Sequence, residues 1–153
     1  MRYLLDTGIL IRIPHRSDPL NTDIRNAIRR LALDGNTFVT TRQNVAEFWN
    51  VCTRPASSRG GYGLTTDDTA RRLRILERFV TVLDEPKSAY AHWKALVQKH
   101  KVLGRQVHDC RIVAVMTACR TKHILTLNDA DFARYSPQVI AIPPTAVLSA
   151  KHL

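Results

Sequence analysis

The sequence predicts an α/β fold, a three-layer α/β/α sandwich with a mainly parallel central sheet, as a single domain over residues 1–153. Two observations carry this reading. Five short apolar runs have the length and composition of buried strands, and segments with apolar residues at helical spacing separate them. Parallel neighbours need such crossovers, and the crossover helices cover both faces of the sheet. A length of 153 residues suits one ordinary domain.

Arg2 to Leu5 is a short apolar run ending at Asp6, which suits a buried strand followed by a turn. Asp18 and Pro19 open a helix with Leu20, Ile24, Ile28 and Leu31 at helical spacing, and Gly35 stops it. Thr37 to Thr40 reads as the second strand. Gln43 to Thr53 then carries Val45, Phe48, Trp49 and Cys52 on one helical face, and Pro55 ends it. The Gly/Ser-rich stretch Pro55 to Gly63 is a loop, too short for a domain linker. Thr65 with Asp68 offers a capping box for a helix through Ala70, Leu73, Leu76 and Phe79. Val80 to Leu83 is the third strand. Pro86 starts a helix carrying Ala89, Trp93, Leu96 and Val97, and another runs from about His108 to Arg120 with Ile112, Val113, Met116 and Cys119 inward. Ile124 to Leu127 and Val139 to Ile142 complete the strands.

Charge is the informative part of the composition. Lys and Arg number 23 against 13 Asp and Glu, a net of +10, so the surface field attracts polyanions and nucleic acid is the first partner to consider. A sustained basic amphipathic helix with a lipid-facing stripe is absent from the sequence, as is a lipidation motif, which argues against a membrane partner. Cys52, Cys110 and Cys119 are odd in number, lack CxxC spacing and read as reduced core thiols. Asp6 interrupts the apolar N-terminus, which lacks a cleavage site, and no run has the roughly 20 apolar residues of a membrane span. The expected location is cytoplasmic.

Four carboxylates stand in apolar surroundings. Asp6 ends the first strand in YLLDT, Glu47 lies in NVAEFWN, Asp109 in VHDCRIVAV and Asp131 in LTLNDADF. Each falls near the carboxyl end of a strand or early in the following helix, the edge where open α/β sheets place ligand sites. Alone, Asp6, Asp109, Asp129 and Asp131 could each be a helix cap or first-turn acid, and Glu47 a dipole partner. Converging carboxylates, however, repel one another unless a cation offsets the repulsion. Mg²⁺, with Mn²⁺ as substitute, takes oxygen ligands, keeps several waters and can activate one of them against a phosphodiester.

In LLDTGIL, TTRQNVAEFWNV, VHDCRIVAVM and LTLNDADF the chain resembles the PIN-domain ribonucleases, and specifically the VapC toxin of VapBC toxin–antitoxin pairs. The resemblance runs nearly end to end. It implies metal-binding, catalytic acids at Asp6, Glu47, Asp109 and Asp131, with Asp129 as the alternative fourth acid. It also implies supporting polar roles for Thr7 and Asn128, an RNA substrate, a homodimer, and a VapB-like antitoxin whose C-terminal segment enters the acidic site.

His108 beside Cys110 lacks the second His/Cys pair that zinc would need. Trp49 and Trp93 read as core or dimer contacts. Arg54, Arg59 and Tyr62 are loop candidates for touching RNA, while Arg71, Arg72, Arg74 and Arg78 form a basic helix face. The competing reading is a non-catalytic nucleic-acid or partner-binding module on the same fold. A phosphotransfer receiver domain fits less well, because a central phospho-acceptor Asp and a later Lys cannot be placed.

Overall fold

Side-chain alternation along each strand splits the interior in two. In the computed structural model, which describes residues 1–150, Tyr3, Leu5, Phe38 and Leu125 enter one buried cluster. Their neighbours Leu4, Val39 and Ile124 enter the other. This period of two is what a strand covered on both faces requires. Strands β1 (Arg2–Leu5), β2 (Thr37–Thr41), β3 (Val80–Leu83), β4 (His123–Leu125) and β5 (Ile140–Ile142) form one parallel sheet, ordered β3-β2-β1-β4-β5.

Helices α1 (Thr7–Leu10), α2 (Asn21–Leu33), α3 (Arg42–Thr53) and α4 (Thr66–Glu77) pack on the first face, with Ile9, Ile24, Phe48 and Leu76 buried there. Helices α5 (Ser88–Lys99), α6 (Gln106–Ala118) and α7 (Asp129–Phe132) pack on the second. The final helix, α8 (Pro144–Ser149), returns to the first face through Val147. Among the described residues no helix is long and apolar enough to cross a membrane.

The chain steps outward from β1 through β2 to β3, then α5 and α6 carry it back to β4 on the other side of β1. Strand order therefore reverses between β1 and β4. The segments leaving these two strands lead to opposite faces of the sheet, the switch point at which open α/β sheets place a ligand crevice.

Several boundaries differ from the sequence reading. Asp18 Oδ1 accepts from the Leu20 backbone N–H at 2.8 Å, a local turn that delays the helix to Asn21. The helix bearing Asp109 starts earlier and stops earlier than its apolar spacing suggests. Arg120 takes a left-handed φ of 52°, which closes that helix off. Strand β4 runs His123–Leu125, starting one residue early and ending two short although the Thr126 N–H still donates to the Ile142 carbonyl at 3.1 Å, and β5 begins one residue late at Ile140. Cys52 and Cys110 are buried free thiols, and Cys119, free and half-buried at the end of α6, packs against the margin of the second cluster.

Candidate metal centre

The crevice is built around Asp6, the residue at which β1 becomes α1. Its backbone N–H still donates to Leu125 of β4, at 3.1 Å, and its side chain caps α1 through the Thr7 N–H at 2.8 Å. Two further donors fix the carboxylate. The Thr126 hydroxyl donates to Oδ2 at 2.7 Å, and the Asn44 amide donates to Oδ1 at 3.2 Å. A buried carboxylate without such donors would be far costlier. Burial nevertheless dominates: it pushes the Asp6 carboxyl up, assisted by the charge of Glu47, against the lowering effect of the Thr126, Thr7 and Asn44 bonds.

Glu47 lies in the second turn of α3, half-buried, and both its oxygens are held. The Thr7 hydroxyl donates to Oε2 at 2.7 Å, and Gln43 Nε2 donates to Oε1 at 2.9 Å. Gln43 also reaches across to the His108 carbonyl at 3.0 Å, so one amide ties α3 to the first turn of α6. That turn presents Asp109, half-buried. Its carboxyl is pushed up to about 6, first by burial and then by the charges of Asp6, Asp131 and Glu47. Asp131, exposed in α7, thus joins the acidic group, whereas Asp129 is not among the charges acting on Asp109. Asn128 lies exposed at the start of α7 and holds it through its backbone: its N–H donates to the Thr126 hydroxyl and its carbonyl accepts from Asp131.

Asp109 feels the charges of the other three acids, yet the four do not form a closed cage. Among the described residues no three His, Cys, Asp or Glu side chains stand close enough to hold an ion by themselves. Hard oxygen donors around a wet crevice nevertheless fit Mg²⁺, which keeps several of its waters and takes few protein ligands. A divalent cation would relieve both causes of the Asp109 shift, the burial of its charge and the repulsion from Asp6, Asp131 and Glu47. A zinc site does not fit, since His108 is exposed while the Cys110 thiol is buried against Tyr135.

A family model described as the PIN domain matches residues 3–136. The chain belongs to the PIN domain family. Proteins of this family are generally nucleases and generally use divalent metal ions. Solved structures agree on the PIN fold. VapBC-1 from nontypeable Haemophilus influenzae superposes with a TM-score of 0.67 at 19% identity, covering 95% of this chain and 99% of the other. VapBC2 from Rickettsia felis, bound to a DNA fragment from its promoter, gives 0.65 at 17% identity over 94% and 98%. FitAcB from Neisseria gonorrhoeae gives 0.60 at 20% identity over 95% and 99%. No curated protein matches the chain by sequence.

Sequence reasoning passed over Asn44, Thr126, Gln43 and Thr41. For Asn44 a signal existed: it shares the four-residue spacing of Phe48 and Cys52 and is fully buried with them. Thr126 carried no such signal, being one polar residue at a strand end. The loop candidates also separate. Tyr62 stacks on His15 at 4.1 Å with Arg72 beside both, whereas Arg59 is exposed.

Proposed function

We propose that this chain is a Mg²⁺-dependent endoribonuclease, the toxin of a type II toxin–antitoxin pair, cutting RNA at Asp6, Glu47, Asp109 and Asp131. The single observation that carries the reading is the grouping of these acids at the β1/β4 edge, with Asp109 pushed up to about 6 by burial and then by the charges of Asp6, Asp131 and Glu47. When bound, Mg²⁺ supplies a water of lowered pKa and neutralises charge on the phosphate. The protein's part is positional. Asp6 and Glu47, each pinned by two or more donors, hold fixed negative charge on one wall. Asp109 and Asp131 supply the opposite wall, and the basic surface holds the RNA backbone on either side.

The structural relatives named as VapBC and FitAB assemblies support a VapB-like antitoxin as partner, with a homodimer and a cytoplasmic location as parts of the same proposal. Purified protein should cleave RNA with Mg²⁺ or Mn²⁺ and stop on adding EDTA. Asp6→Asn and Asp109→Asn should each lower cleavage at least 100-fold while circular dichroism stays unchanged. RNA binding that survives chelation without any cleavage would favour a non-catalytic binding module instead.

A further inference from the structure

We infer that Asn44 is a positioning residue that locks Asp6 and Glu47 into one arrangement for a divalent cation. This rests on the metal-nuclease reading above and deepens it. The amide has one possible orientation. The Thr41 hydroxyl accepts from the Asn44 backbone N–H at 3.1 Å, so its own proton is free to be donated, and it goes to Asn44 Oδ1 at 2.6 Å. The ionised Asp6 carboxylate only accepts, so the amide face toward it must be Nδ2, whose two protons go to Asp6 Oδ1 at 3.2 Å and Thr7 Oγ1 at 3.1 Å. Having accepted that bond, Thr7 passes its single proton to Glu47 Oε2 at 2.7 Å.

The result is a directed chain from Thr41 through Asn44 and Thr7 to Glu47, with a branch to Asp6. Asp6 Oδ1 is filled by two donors, the Thr7 N–H and Asn44, while Oδ2 holds only Thr126. Asn44 thus leaves Asp6 one unfilled acceptor position, on Oδ2. It is fully buried, and hydrogen bonds inside a low-dielectric interior are strong enough to set side-chain geometry. Residues that hold ligating carboxylates in this way typically change metal affinity 10–100-fold when removed.

The test is Mn²⁺ titration calorimetry on metal-free protein, with the thermal midpoint measured alongside. Asn44→Ala is expected to weaken Mn²⁺ binding at least tenfold, a shift that a merely structural residue would not produce in a protein that still melts cooperatively. If Asn44→Ala does not fold, Thr41→Val, which releases the amide without touching Asp6, should weaken Mn²⁺ binding, and Thr41→Ser should retain wild-type affinity. In a double-mutant cycle Asn44→Ala and Thr7→Val should be non-additive, because both act through one chain. Wild-type affinity in a folded Asn44→Ala, or in Thr41→Val where Asn44→Ala is unfolded, would overturn the positioning role alone. Failure of wild-type protein to bind Mn²⁺ would overturn the metal centre and this role together.

Discussion

Asp109 carries the site's electrostatic strain, and that strain has a measurable sign. Its folded carboxyl titrates at about 6 against an ordinary 3.8, so the folded state holds the proton more tightly than the unfolded chain does. Stability from this group is full below 3.8 and is lost as pH rises through about 6. Asp6, also raised, acts in the same direction. Because Asp109 is half-exposed, solvent screening limits the effect to about 1–2 kcal/mol. Metal-free protein should therefore melt lower at pH 7.5 than at pH 5, by roughly 2–4 °C per kcal/mol, and Asp109→Asn should remove most of the difference. Adding Mg²⁺ should raise the midpoint more at pH 7.5 than at pH 5, since ligands must be deprotonated to bind; scanning calorimetry with EDTA or Mg²⁺ reads both, and an equal Mg²⁺ effect at the two pH values would contradict the assignment. At this scale the acids were legible because a carboxylate in an apolar flank is conspicuous. Asn44 and Thr126 were not, because a neutral polar residue advertises nothing until the fold shows what it bonds.

Among the elements, those with strong periodicity or explicit caps could be read directly. Thr65 caps α4 through the Asp68 N–H at 3.1 Å, where the spacing of the two residues placed a helix start. Thr65→Ala should cost about 1 kcal/mol, seen as a lower urea midpoint with an unchanged slope; a cost near zero would mean that water caps the helix equally well. Short elements escaped. Helices α1 and α8 and the 3-10 turn at Ala133–Tyr135 span only a few residues each, too few for a period to emerge or for a helix to hold without tertiary support. Helix α6 hid its limits for the opposite reason. Cys110 and Ile112 through Met116 are all buried, so apolar residues run around most of the helix and mark no face.

For the whole molecule, alternation of strands and helices specified the layers but not the order of strands, and the order is what makes the site. With β1 between β2 and β4, acids far apart in sequence meet at one edge, which no local pattern could disclose. The net charge of +10 arises although this edge is acidic, so the excess positive charge lies elsewhere on the surface. Arg71, Arg74 and Arg78 of the α4 segment and Arg59 of the preceding loop are exposed parts of it. If that surface holds RNA by its phosphates, affinity must fall with salt as counterions are released. For about three phosphates neutralised on a single strand the slope of log K against log salt is about −2, or about twentyfold weaker binding from 50 to 200 mM salt. Cleavage-deficient Asp109→Asn makes the measurement possible at equilibrium, by fluorescence anisotropy with a short labelled RNA. Replacing Arg71 and Arg74 with Gln should make the slope shallower by about 0.7 for each phosphate no longer neutralised, whereas a slope near zero in the parent would show that the basic surface does not grip the backbone.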